Sequence, residues 1–268
     1  MLFGGPVLLP FNSPEEWVKN MQDLNFTACV FPLDHTAKAS EIDAYVAAAK
    51  AADIVIAEVG AWKNQLSPNA AEAKVAMQYA KDQLSLADYI GARCCVNIAG
   101  SKNPNKWDSH HKDNWTCFDE IVVNVRDIID SVKPTKTYYT IETMPWIFPY
   151  NADTYLDLIK AIDRERFGAH LDLVNIIKSP YEYYHNADIT RECFAKLGKY
   201  IKSVHAKDNI LHDKLTVHID EMPPGQGNFD FTVLFECMKE LPDVPVLMEH
   251  MHEHEVVKKA GEYLRGLM

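Results

Sequence analysis

Short runs of Val, Ile, Leu, Tyr, Phe and Cys alternate along the chain with longer stretches in which apolar residues recur every three or four positions. The short runs lie at 5–10, 28–33, 54–59, 93–99, 137–143, 167–173, 201–207 and 244–249. None shows the strict apolar–polar alternation of a strand with one wet face, so they read as parallel strands buried on both sides. The segments between them read as helices. Ser13-Pro14-Glu15-Glu16 opens the first, with an N-cap serine, proline in the first turn and acids at the positive end of the helix dipole. Ser40 and Asp43 open a second ahead of an alanine-rich run, and 69–90 is the longest, stopping at Gly91. Further helices are expected at 118–132, 152–162, 188–197, 231–241 and 254–267.

Eight strand–helix units with no Gly/Ser linker and no break in composition predict an α/β protein, a (β/α)8 or TIM barrel, as a single domain over residues 1–268. A doubly wound open sheet would call for a glycine-rich phosphate loop after the first strand, and Gly4-Gly5-Pro6 stands at its start instead. With 268 residues, 47% of them hydrophobic, the chain can bury a core without disulfides or a structural metal. The six cysteines lack C-x-x-C spacing and are expected to be buried and reduced, which points to a cytoplasmic protein. The amino-terminal MLFGGPVLLPF has no basic n-region, so no secretion leader is expected. No apolar stretch approaches the ~18 residues of a membrane span. The balance of 27 Lys+Arg against 38 Asp+Glu, a net charge of −11, disfavours nucleic acid and anionic membranes as partners.

Barrel enzymes carry their chemistry at the carboxyl ends of the strands. The last four predicted strands end in I-E-T-M-P-W (141–146), H-L-D-L-V-N (170–175), V-H-A-K-D (204–208) and M-E-H (248–250). Glu142, Asp172, His205 and Glu249 therefore fall at equivalent places on consecutive strands. Three carboxylates converging beside apolar flanks repel one another, and a divalent cation is the simplest remedy. Oxygen ligands with one imidazole suit Mn²⁺, Mg²⁺ or Co²⁺, with Zn²⁺ a further option. The competing reading is a barrel end closed by salt bridges from these acids to Lys207 and nearby histidines.

This succession resembles the xylose isomerase-like superfamily of sugar isomerases and epimerases, which are metal-dependent (β/α)8 barrels. In that family a Glu, an Asp, a His and a Glu on the last four strands hold one divalent metal; the matching residues here are Glu142, Asp172, His205 and Glu249. The segments V-H-A-K-D and P-P-G-Q-G-N-F-D-F (223–231) resemble the family's H-x-K-D and P-G-x-G-x-x-D/N run, and the likeness covers essentially the whole chain. It implies one divalent cation, Mn²⁺ first, and Glu142 and Glu249 as the acid/base pair. The chemistry agrees. A proton on carbon beside a carbonyl is removable when the growing oxyanion is stabilised, and a cation provides that for an enediolate. Lys207, two residues beyond His205, points into the same mouth by strand alternation, as a partner for the oxyanion or a hydroxyl. His170 points inward one layer deeper, as a core histidine or a substrate contact.

The expected substrate is a small sugar or oxo-sugar, unphosphorylated because no Lys/Arg cluster marks a phosphate pocket. Trp62 and Trp146 are expected as pocket walls. The polar stretch 101–115 reads as a lid carrying Trp107 and Trp115, with His110 or His111 meeting hydroxyls. Two positions depart from the ketohexose 3-epimerases: Asn175 and Leu211 stand where those enzymes carry a His and an Arg that contact sugar oxygens. The departures speak against a free ketohexose. They raise an alternative with the same site, a lyase of the inosose dehydratase type or of the C-glycoside deglycosidase large-subunit type, the latter implying a small partner subunit. A homo-oligomer is the other expected assembly, and a sugar-binding barrel without catalysis is a third reading. In the run 249–255 only Glu249 is placed by the strand argument, and His252 and His254 read as caps or decoration of the last helix rather than a second metal site; G-Q-G (225–227) lacks the context of a nucleotide loop.

Overall fold

The computed structural model describes residues 1–268. Eight parallel strands form one sheet: β1 (Phe3–Gly4), β2 (Ala28–Val30), β3 (Val55–Gly60), β4 (Cys94–Asn97), β5 (Tyr138–Glu142), β6 (Phe167–Asp172), β7 (Ile201–Ala206) and β10 (Val246–Met248). Their order, β1-β10-β7-β6-β5-β4-β3-β2, is that of a barrel, as expected. The seam between β1 and β2 is nearly closed by Thr27 N–H donating to Phe3 O at 2.8 Å and Phe3 N–H donating to Thr27 Oγ1 at 3.0 Å. Gly4 permits this approach: a Cβ there would sit 2.0 Å from Ala28 O. Pairing begins earlier than the apolar pattern suggested. Residues 5–10 are irregular, and Pro6 and Pro10 have no N–H to give a ladder.

Helices α1 (Pro14–Asp23), α2 (Ala39–Ala51), α3 (Ala70–Ile90), α4 (Phe118–Val132), α5 (Ala152–Ile162), α7 (Asn186–Leu197), α8 (Phe231–Met238) and α9 (His254–Arg265) follow the strands, with the short α6 (Pro180–Tyr184) before α7. The Ser13 start and the Gly91 stop read from the sequence are present, whereas α2 begins at Ala39, one residue before Ser40, with Lys38 at its cap and no side-chain cap bond. Ser13 accepts from Glu16 N–H at 3.2 Å, Asn69 from Ala71 N–H at 3.0 Å, and Gly91 ends α3 with φ 74°. One apolar cluster of 63 buried residues joins barrel and helices. All six cysteines are free thiols. No helix is long and apolar enough to cross a membrane.

An antiparallel hairpin, β8 (Asp208–His212) with β9 (His218–Met222), rises from the end of β7. It is absent from the sequence reading because it buries little and carries no apolar run.

Candidate metal centre and active site

Register assembles the site. Across β5, β6 and β7, Glu142 pairs with His170, His170 with Ser203, and Asp172 with His205, while Leu247 on β10 pairs with His205. Because side chains alternate along a strand, His170 and Asp172 share one face, as do Ser203, His205 and Lys207. The mouth is therefore built in layers. Glu58, His170 and Ser203 lie deepest, Glu142, Asp172, His205 and Glu249 above them, and Lys207 on top.

Glu142, Asp172, His205 and Glu249 offer ligand atoms all within 4.8 Å of one another. His205 Nδ1 faces Glu249 Oε1 at 3.0 Å and Glu142 Oε1 at 3.2 Å. Asp172 is oriented by its neighbours: Thr143 Oγ1 accepts from its N–H at 3.0 Å, and its Oδ1 accepts from Asn175 N–H at 3.0 Å. Asn175 Nδ2 also donates to Glu142 Oε1 at 3.3 Å. Lys207 Nζ lies 2.5 Å from Asp172 Oδ2, 2.6 Å from Glu249 Oε1 and 4.0 Å from Glu142 Oε1.

The residues fit a divalent cation. Asp172 Oδ2 and Glu249 Oε1 are buried yet make no directed hydrogen bond, despite the nearby ammonium. Their lone pairs converge with an imidazole nitrogen and a third carboxylate, an oxygen-rich donor set of the kind Mn²⁺ and Mg²⁺ take. The charges tell the same story. Burial, with repulsion from Glu142 and Glu249, pushes Asp172 up to about 8 against the pull of Lys207. Burial also opposes ionisation of Glu249, but the charges of His205 and Lys207 overcome it and hold that carboxyl well below its usual range. His205 and Lys207 are disfavoured as cations by burial, and the surrounding acids raise both well above their ordinary values.

A cavity of about 530 Å³ opens over this cluster. Its lining includes Glu142, Asn175, His205, Lys207 and Glu249 together with all three expected tryptophans, Trp62, Trp107 and Trp146. Trp62 folds back over Gly60, where a Cβ would meet its Nε1 at 2.3 Å. Trp146 Nε1 is buried without a partner, a free donor in the wall. Asp172 and His170, both fully buried, do not line the cavity. His170 sits beneath His205, ring centroids 4.1 Å apart, and is bonded to Glu58 rather than placed to reach a substrate. The stretch expected as a lid is pinned instead: Ser101 Oγ donates to Ser109 O at 2.6 Å, and Lys102 N–H donates to Asn114 Oδ1 at 2.8 Å. Trp115 packs outward against Tyr150, and His111 caps the turn 112–116.

Glu58, Glu221 and His250 also line the cavity, and the sequence reading gave none of them a role. Glu58 interrupts the apolar run V-I-A-E-V-G, and that interruption was its signal. Glu221 comes from the unforeseen hairpin, 3.4 Å from Lys207 Nζ. His250, with φ 56°, pairs through Nδ1 with Glu221 at 2.8 Å and lies 3.5 Å from Lys207.

The P-G-Q-G-N-F segment has a physical explanation. Asp208 is buried, its Oδ2 accepting from Gly225 N–H at 3.0 Å and Gly227 N–H at 2.9 Å, its Oδ1 from Phe229 N–H at 2.9 Å. Gly225 has φ 89°, and a Cβ on Gly227 would lie 2.1 Å from Asn209 O. The carboxylate next to Lys207 thus ties this turn and the hairpin to the barrel mouth.

Residues 18–267 match the family described as xylose isomerase-like TIM barrel, and the chain belongs to that family. Among solved structures it is similar to D-psicose 3-epimerase from Clostridium cellulolyticum H10 in complex with D-tagatose (TM-score 0.73, 13% identity, 100% of this chain and 99% of that one). It is equally similar to the probable 3-DHS dehydratase AsbF of Bacillus anthracis, involved in petrobactin synthesis (TM-score 0.73, 14% identity, 99% of both chains). A xylose isomerase-like TIM barrel protein from Mycobacterium smegmatis in complex with magnesium aligns with TM-score 0.70 at 16% identity, over 94% of this chain and 87% of that one. No match is found among curated proteins.

Proposed function

We propose that the protein is a divalent-metal-dependent isomerase or epimerase of sugars or oxo-sugars that moves a proton on carbon beside a carbonyl. The observation that carries this reading is the convergence of Glu142, Asp172, His205 and Glu249 beneath a tryptophan-lined cavity. Those four residues would hold the cation, which supplies charge stabilisation to a carbonyl oxygen as it becomes an oxyanion. Mn²⁺ or Mg²⁺ suits the donor set best.

Glu249 and Glu142 reach the centre from β10 and β5, strands separated by β7 and β6, and so flank it from two sides. One carboxylate takes the proton from carbon and the other returns one, with Glu249 in the ionised form a base requires. Lys207 donates to the developing oxyanion or an adjacent hydroxyl. Trp62, Trp107 and Trp146 exclude water and seat the apolar face of the sugar, and Trp146 Nε1 and Asn175 Nδ2 are donors for hydroxyls.

A second reading is favoured by the His250–Glu221 pair at the rim beside Lys207. A protonated imidazole there is a general acid for a departing β-substituent, which would turn the same proton abstraction into elimination. The relatives just described include both a 3-epimerase and a probable dehydratase. Product analysis on a panel of 2-oxo and 3-oxo sugars separates the two readings: a stereoisomer or positional isomer means isomerase, an unsaturated product means lyase.

A further inference from the structure

We propose that Glu58 is the positioning residue that fixes which nitrogen of His205 faces the ligand cluster, an inference that rests on the metal-centre reading above. Glu58 is buried in the middle of β3, 1% exposed. Its Oε2 lies 3.2 Å from His205 Nε2, and its Oε1 lies 3.0 Å from His170 Nε2 and accepts from Ser203 Oγ. His205 is thereby strung between two sets of acids, with Nε2 towards Glu58 and Nδ1 towards Glu142 and Glu249.

Both ring nitrogens face carboxylates, which only accept hydrogen bonds. Glu142 and Glu249 turn to a cation when one is bound, whereas Glu58 has both oxygens occupied by donors, so it is Nε2, facing Glu58, that keeps its proton. In a neutral imidazole the other nitrogen, Nδ1, then presents its lone pair to the ligand cluster, and the ring cannot rotate without breaking the Nε2 contact. His170 braces the arrangement from below, its ring edge-on to His205 at an interplanar angle of 81°. Glu58, His170 and His205 also lie close enough to hold an ion themselves. Both Glu58 oxygens are already engaged by donors, however, and this group offers a single carboxylate against the three of the cluster above it. The group is a support for His205 and not a second centre.

A support of this kind is distinguishable from a buried counter-charge. Glu58→Asp keeps the charge but withdraws the oxygen from His205, and Glu58→Gln keeps the reach but removes the charge. Mn²⁺ and Mg²⁺ titrations by calorimetry on folded protein are expected to weaken about 10–100-fold in Glu58→Asp. Ser203→Ala, which removes a donor to Glu58 but leaves the His205 contact, is expected to bind near the wild-type level. Wild-type affinity in Glu58→Asp would overturn the proposal while leaving the metal centre standing, and a wild-type protein that binds neither ion would overturn both. Histidine-ring ¹⁵N NMR of Zn²⁺-loaded wild type needs no variant to fold. The expected result is His205 protonated at Nε2 and metal-shifted at Nδ1; the reverse assignment would also overturn the proposal.

Discussion

Lys207 Nζ stands 2.5 Å from Asp172 Oδ2 and 2.6 Å from Glu249 Oε1, so one ammonium bridges two of the acids that converge at the barrel mouth. Lysine and cation then have overlapping electrostatic work. In the metal-free protein Lys207 is the ammonium beside the buried acids of the cluster, and removing it leaves Glu249 without that charge partner. Lys207→Met is therefore expected to lose about 3–5 kcal/mol of stability without metal. Saturating Mg²⁺ should restore most of it, because the ion binds the folded state. Thermal unfolding with and without the ion checks this; an equal loss in both would separate Lys207 from the ligand cluster.

Metal binding should release protons. Asp172, raised to about 8, and His205, raised well above its ordinary value, both hold protons in the metal-free site at neutral pH, and each must lose one to serve as a ligand. Affinity is expected to tighten as pH rises from 6 through about 8. Calorimetry in buffers of different ionisation enthalpy should show net proton release, and a pH-independent affinity would contradict the assignment of these two ligands.

The turn over the mouth depends on one carboxylate. Asp208→Ala removes the acceptor for Gly225, Gly227 and Phe229 N–H and is expected to cost about 2–4 kcal/mol. It should also raise KM through a displaced hairpin and Glu221. Amide hydrogen exchange across 208–229 is the direct readout, with faster exchange there and little change in α4 or α5.

Gly60 tests the tryptophan wall. A methyl at this position would collide with Trp62, so Gly60→Ala should tilt the indole, raise KM several-fold and leave metal affinity unchanged. Substrate kinetics beside metal titration separate the two effects.

Away from the site, Asp88 gives a pH test of stability. Its Oδ1 accepts from Thr135, Lys136 and Thr137 N–H at 2.7, 2.6 and 3.1 Å, and these bonds outweigh burial and lower its pKa. A depressed folded value contributes stability above the unfolded pKa of ~3.9, and that contribution fades as pH falls through the folded value. Asp88→Ala should cost about 1–2 kcal/mol at neutral pH, allowing for solvent screening. The gap should narrow below pH ~4.

How far the sequence reveals this molecule depends on burial. Strands β3 to β7 and β10 are enclosed on both faces, so apolar runs marked them, and barrel register then brought Glu142, Asp172, His205 and Glu249 together from residues up to 107 positions apart (142 to 249). The first strand was misplaced because an apolar run containing Pro6 and Pro10 has the hydrophobicity of a strand without its donors. The β8–β9 hairpin is half solvated, and with it Glu221 escaped notice. Glu58 escaped for the opposite reason. It is an isolated acid within an apolar run whose partners, His170 and His205, lie 112 and 147 residues away, and no local pattern announces such a network.

The most direct test of the central claim is proton NMR of oxo-sugar substrates in D₂O with Mg²⁺-loaded protein, beside Glu249→Gln and a chelated sample. Deuterium is expected to enter the carbon next to the carbonyl with the wild type and in neither control. Exchange that persists in Glu249→Gln or after chelation, or a wild type that binds Mg²⁺ and catalyses no exchange across the 2-oxo and 3-oxo panel, would contradict metal-assisted proton abstraction at this centre.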